Sequence, residues 1–242
     1  MYHHVSKNPA MWNDYVISPE ELDSDMKYLK ENGWQSVSMA ELLAWYEGKF
    51  TMPEKPFMIT FDDGFESTVA YAEPILAKYG FRGVVAVIGS VCEKFSENGE
   101  HYPEASNMSW EDAIQAAERG VLEVQCHTWN MHGLGSRTGC NKISWEDDTA
   151  YHEKLAADLS RFLRESEARG LPLTMTIAYP YGAFCPETTR VVKELGFRAA
   201  FTCVEEINLL TGEGEELYHI ARYNRPHGRA SWEFFSKWEP KT

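Results

Sequence analysis

Asp62 and Asp63 stand side by side after the apolar run Phe57-Met58-Ile59-Thr60-Phe61 and before Gly64. Two carboxylates this close resist joint ionisation unless a cation or a cationic side chain compensates them. One arrangement makes both useful: a ligand for a divalent metal beside a general base. Read in isolation, Asp-Gly is also an ordinary turn or helix cap. His127 and His132 bound the segment His127-Thr128-Trp129-Asn130-Met131-His132. On a helix this spacing would set them about 140° apart, and on a strand they would point to opposite sides. A turn after a strand can bring both to one point. With an Asp from another strand end they make a two-His, one-carboxylate set, suited to Zn²⁺, Fe²⁺, Co²⁺ or Ni²⁺ with positions left for water.

Three more groups could share that chemistry. Tyr179-Pro180-Tyr181-Gly182 reads as a simple turn, or as a rigid one that aims a backbone N–H, that of Tyr181, at a developing oxyanion. Arg222, followed closely by Arg225, falls at a strand end in Ile220-Ala221-Arg222-Tyr223. A guanidinium buried there needs an anion, and Asp62 is the natural partner; a surface ion pair is the plainer alternative. His3 and His4 open the chain, and strand alternation turns only one of them inward.

The elements that must position these groups alternate. Apolar runs predict strands over 2–5, 35–38, 56–61, 83–88, 121–126, 174–178, 198–202 and 217–222. Helical patterns fill 19–32, 39–47, 66–79, 110–119, 149–169, 186–195 and 231–237. Ser18 with Glu21, Ser38 with Glu41, and Ser109 with Asp112 carry the capping-box spacing. Alternation of this kind predicts an α/β fold with a parallel sheet, a single-domain (β/α) barrel over residues 1–242, irregular, with seven or eight strands. Chemistry in such a fold gathers where strands end, and Asp62, Asp63, His127, Tyr181 and Arg222 all fall there. The polar stretches 89–108 and 133–148 read as long loops with little regular structure.

Composition narrows the function classes. The chain has 242 residues and a formal charge of −14, which argues against nucleic acid or an anionic membrane as partner. No apolar stretch approaches the ~18 residues of a membrane span, so no transmembrane segment is expected. No basic leader precedes Tyr2, and the chain opens inside a strand, so a secretion signal could lie upstream. The five cysteines show no CxxC spacing, which fits neither a disulfide framework nor a zinc–thiolate site. They read as small buried apolar residues.

With these groups in view, the chain resembles the polysaccharide deacetylase (NodB homology) family, carbohydrate esterase family four. Thr60-Phe61-Asp62-Asp63-Gly64 is similar to its first motif, His127-Thr128 with His132 to its second, and Pro180-Tyr181-Gly182 to the end of its third. The resemblance runs from residue 2 to about 229. It implies Asp62 as general base, Asp63, His127 and His132 as ligands of a divalent metal, zinc first with cobalt, nickel or iron as alternatives, and the Tyr181 N–H in the oxyanion hole. Three features depart from the usual pattern. The His pair has one extra residue between its members, Ala178 stands where the third motif has Arg, and no Leu-x-x-His motif occurs near the C-terminus. The branch acting on poly-N-acetylglucosamine rearranges these parts, and Tyr2-His3-His4-Val5 and Ala221-Arg222-Tyr223 are similar to its pieces. That resemblance implies His3 as general acid, with His227 as runner-up, and Arg222 as partner of Asp62.

The expectation is therefore a metal-dependent hydrolase that removes N-acetyl groups from an N-acetylglucosamine-containing polysaccharide, with Trp129 and Tyr181 as candidates for sugar stacking. An O-acetyl carbohydrate esterase and a catalytically silent carbohydrate-binding module are the alternatives. The family resemblance implies an extracellular or cell-surface location. The polymer and the oligomeric state are not encoded in any motif.

Overall fold

Alternate side chains of the strand Gly83–Val87 enter two different cores, and all five residues are buried. That double burial is the mark of a parallel strand covered on both faces. The structure, a computed structural model, describes residues 1–238. Its elements run β1 (His4–Val5), β2 (Val16–Ile17), α1 (Pro19–Glu31), β3 (Gln35–Ser36), α2 (Met39–Tyr46), β4 (Pro56–Phe57), β5 (Ile59–Phe61), α3 (Glu73–Tyr79) and β6 (Gly83–Val87). There follow α4 (Gly89–Asn98), α5 (Trp110–Arg119), β7 (Leu122–Cys126), α6 (Asp148–Ala168), β8 (Thr176–Ala178), α7 (Pro186–Glu194), β9 (Ala199–Phe201) and α8 (Ser231–Phe235).

Strands β5 to β9 form one parallel five-stranded sheet in chain order. Tyr2 extends it at one edge through a parallel bridge to Phe61, and Ile220 at the other through a parallel bridge to Phe201. The two added passes then meet. Met1 N donates to Tyr223 O at 2.8 Å and Arg225 N donates to Met1 O at 3.0 Å, the bond pattern of a parallel bridge opposite Asn224. The (β/α) barrel is thus a ring of seven passes, five strands and two single bridges. The predicted strand over 35–38 stays outside the ring; it forms β3, which pairs with β4. Inside the ring lie Val84, Ala86, Ala178, Ala199 and Phe201, plugged from below by Met39, Leu42 and Leu43 of α2. Outside it, Val85, Val87, Val124 and Ile177 pack against the helices.

All three capping boxes are present, at Ser18, Ser38 and Ser109. Each satisfies amides that a helix start leaves unpaired. Two expectations need correction and a third is refined. The stretch 89–108 begins as helix α4, because Gly89, Cys92 and Phe95 share a buried face, and Gly99 in the left-handed region ends it. The helix over 66–79 forms over its predicted span, and what the pattern did not show is a π-helical turn inside it, Thr68–Ala72, just before α3. The strand over 217–222 is a 3-10 turn, Glu215–His219, with only Ile220 pairing into the ring. There the Glu216 carboxylate accepts the amides of Thr211 and Gly212 and the Tyr46 hydroxyl, which curls the chain.

Candidate active site

Every strand end in the ring that carries a candidate group opens to the same rim, and the backbone there is strained. Asp63, Thr128 and Tyr181 have φ of 69°, 70° and 59°, three of the four described non-glycine residues in the left-handed region. Such conformations cost of order 1–3 kcal/mol each and persist where the surroundings over-determine them. The first of these turns is held from both sides. Asn107 Nδ2 donates to Asp63 O at 2.8 Å, and a Cβ on Gly64 (φ 66°) would stand 2.8 Å from Val87 Cγ1.

Asp62 is 3% exposed and Arg222 6%. The guanidinium grips the carboxylate with both arms, at 2.6 and 2.8 Å, while its Nε donates to Thr202 O at 2.9 Å and Nη1 reaches Thr60 Oγ1 at 3.2 Å. Burial alone would raise the Asp62 carboxyl. Arg222, followed by His127 and His3, outweighs burial and holds it down at about 2. The base position is therefore ionised at any pH where the protein would work.

Asp63 turns the other way. Its Oδ1 lies 3.0 Å from His132 Nε2 and 3.5 Å from His127 Nε2, and one ligand atom from each of the three residues lies within 4.8 Å of the others. His127 Nδ1 is 2.8 Å from Ala178 O and donates there, which leaves Nε2 as the atom directed at Asp63. His132 Nδ1 is 3.2 Å from Tyr181 Oη, which leaves its Nε2 toward the same point. This is the outer-shell pattern that orients metal-ligating imidazoles. Burial works against the ionised Asp63, but the two imidazoles hold its carboxyl well below the usual range. Burial likewise opposes a charged His127, yet Asp63 and Asp62 outweigh it and raise the imidazole. Three converging donors of N and O type, with the far nitrogens of both imidazoles already engaged, fit a divalent transition metal.

His3 sits near the two acids, its ring edge-on to Tyr15 at 5.0 Å between centroids. His4 turns away into the wall, where Ser67 Oγ lies 2.8 Å from its Nδ1. His3 Nδ1 is buried with no hydrogen-bond partner among the described residues. Burial lowers its proton affinity against the pull of Asp62 and Asp63. His227, the other acid candidate, is held by Glu21 at 2.8 Å and packs tilted against the Trp12 ring. Arg225 does not join the site; it is a buried partner of Asp25 at 2.8 and 3.0 Å, and Tyr2 Oη donates to the same carboxylate. Tyr181 stays 42% exposed at the rim. Trp129 is not available for sugar stacking. It is 6% exposed, fills the space left by the missing Cβ of Gly89, and packs beside Trp110.

Sequence reasoning missed the groups that act through backbone atoms. The carbonyls of Ala178 and Thr202 orient His127 and Arg222, and a carbonyl carries no residue-type signal. Thr60 was visible only as part of the run before Asp62.

A family model described as polysaccharide deacetylase matches residues 49–200. The poly-beta-1,6-N-acetyl-D-glucosamine N-deacetylase of Escherichia coli K12 is 24% identical over 220 residues, covering 83% of this chain and 33% of its own length. The protein of the same name from Staphylococcus aureus MRSA252 is 26% identical over 196 residues, covering 80% of this chain and 63% of its own. The chain thus spans less than two thirds of these relatives. Among solved structures, a de-N-acetylase from Aggregatibacter actinomycetemcomitans superposes with a TM-score of 0.80 at 23% identity, covering 97% of both chains. IcaB from Ammonifex degensii gives 0.78 at 25% identity, covering 98% of this chain and 94% of its own.

Proposed function

The chain belongs to the polysaccharide deacetylase family, and from that membership we propose a metal-dependent hydrolase that removes N-acetyl groups from a polymer of N-acetylglucosamine. The substrate follows that of the relatives, which are poly-beta-1,6-N-acetyl-D-glucosamine N-deacetylases. The supporting observation is the division of labour between neighbours: Asp62 faces a guanidinium and Asp63 faces two imidazoles. The catalytic domain spans 1–242, with its last four residues outside the described ones, and it acts at the cell surface or outside the cell. Among the described residues no helix is long and apolar enough to cross a membrane.

Asp63, His127 and His132 would hold the divalent ion, zinc first by its preference for this donor set. Such an ion supplies Lewis acidity, lowering the pKa of water and polarising an acetamide carbonyl. Asp62, kept ionised by Arg222, removes the proton of the attacking water. The Tyr181 N–H, aimed by its left-handed backbone, stabilises the oxyanion as it forms. His3 gives a proton to the departing amine, and acetate leaves. Burial lowers the proton affinity of His3 while Asp62 and Asp63 oppose it, and negative charge developing beside the ring favours the charged form that donates.

Acetate release from N-acetylglucosamine oligomers tests this, using metal-stripped protein with and without Zn²⁺, Co²⁺ or Ni²⁺ and Asp62→Asn as control. Metal-dependent release that disappears in Asp62→Asn, with metal still bound, is the expected result. Release only from O-acetylated sugars would redirect the reading to an esterase, and tight glycan binding without turnover to a binding module.

A further inference from the structure

The turn that carries His127 and His132 is held by a residue from a distant helix. Asp158 of α6 spends both carboxylate oxygens on it: Oδ1 accepts Trp129 N and Oδ2 accepts Asn130 N, each at 2.8 Å. Thr128 Oγ1 takes the next amide, Met131 N, at 3.0 Å. From outside, Gly89 N and Ser90 N donate to the carbonyls of Thr128 and Trp129 at 3.0 and 2.8 Å. The Trp129 ring is clamped between the Cβ-less Gly89 and the Arg161 guanidinium, 4.1 Å from its centroid. Between the two histidines, then, three consecutive amides end on side-chain oxygens, and two of the three end on one carboxylate.

We infer that Asp158 is the positioning residue of the candidate metal centre: it folds the four residues between His127 and His132 so that both imidazoles reach Asp63. The role rests on the metal reading above. The spacing explains the need. A five-residue step points two side chains apart on a helix or a strand, so the turn must be imposed by outside partners. A carboxylate suits the task because it is an acceptor at both oxygens. An amide in its place accepts at one and presents N–H to the other donor. Outer groups of this kind are worth about 10–100-fold in metal affinity.

The test measures Co²⁺ affinity of metal-stripped protein by chelator competition, together with the Co²⁺ absorption spectrum, for wild type, Asp158→Asn and Asp158→Ala. Circular dichroism and thermal melting of the metal-free forms accompany it. The expected result is a folded Asp158→Asn that binds Co²⁺ about 10–100-fold more weakly, with an altered spectrum. In Asp158→Ala, added formate should recover affinity by supplying a carboxylate to the two amides, while leaving wild type unchanged. Unchanged affinity and spectrum in both variants would overturn the role. So would unfolding of both variants without metal, or an Asp158→Ala that formate does not rescue, since Asp158 would then serve only to fasten α6. A wild type that binds no Co²⁺ would instead remove the metal reading, and the role with it.

Discussion

The Arg222 guanidinium meets the Asp62 carboxylate edge to edge, Nη1 to Oδ1 at 2.6 Å and Nη2 to Oδ2 at 2.8 Å, across 160 residues of chain. Its third arm is fixed on Thr202 O. A guanidinium fixed at three points sets the direction of the carboxylate as well as its charge. Lysine can supply the charge but not the fork. Arg222→Lys should therefore lose at least about 10-fold in kcat while Asp62 stays ionised. Arg222→Met leaves a buried carboxylate alone, at a cost of about 3–5 kcal/mol in stability. The sign of the pH effect follows: burial, no longer opposed, raises the Asp62 carboxyl from about 2, so the acid limb of kcat/KM moves to higher pH. An unmoved limb would show that Asp62 is not the base.

The two acid candidates separate cleanly by substitution. His3→Ala should lower kcat by about 10²–10⁴, most severely on substrates with a poor leaving amine. His227→Ala removes a ring already engaged with Glu21 and Trp12 and should leave kcat within about 2-fold, with some loss of stability. The reverse pattern would move the acid to the other end of the chain.

Metal uptake should depend on pH in one direction. The His127 imidazole is raised above its usual 6.5 in the metal-free site, burial notwithstanding, by Asp63 and Asp62. It must lose that proton to become a ligand. Binding near neutral pH should therefore release protons, and affinity should fall as pH is lowered through the raised His127 value, which lies above the ordinary 6.5. Calorimetry in buffers of different ionisation enthalpy counts the protons. His132→Ala, with one of three donors gone, should lose stoichiometric metal; normal occupancy would place the second imidazole outside the centre.

Tyr181 combines two separable roles. Its N–H is backbone and survives every substitution except proline, whereas its hydroxyl is the partner of His132 Nδ1. Tyr181→Phe should weaken metal binding by up to about 10-fold and change kcat little once metal saturates. Tyr181→Pro deletes the N–H and forbids the φ of 59°, and should abolish turnover even at saturating metal. Equal effects of the two changes, measured as kcat at saturating Zn²⁺, would refute the division.

What could be read ahead of the structure was local or carried by charge. Ser18, Ser38 and Ser109 announce their helices through nearest neighbours, and all three boxes form. Asp62 and Arg222 could be matched because each, buried at a strand end, demands the other. Other features depend on partners remote in sequence. Trp129 carries the same residue-type signal whether it stacks on sugar or fills a core; Gly89, Trp110 and Arg161 decide which. Helix α4 hides in a polar stretch because only its Gly89, Cys92 and Phe95 face inward. Asp158 lies 28 and 29 residues from the amides it holds, on a helix whose own pattern says nothing of them.

The closing of the ring sets an order of assembly. Asp63, His127 and His132, with the groups that orient them at Asp158, Ala178 and Tyr181, all lie within the first 181 residues, while the cation for Asp62 arrives at residue 222 and the bond that seals the barrel joins Met1 to Tyr223. Contacts of such long range form late, because their loop-closure entropy is met only once the intervening elements are in place. A nascent or C-terminally clipped chain can thus gather its ligand residues before it has a competent base. Metal content would then report a half-finished molecule as faithfully as a finished one, and only turnover would certify that both ends of the chain have met.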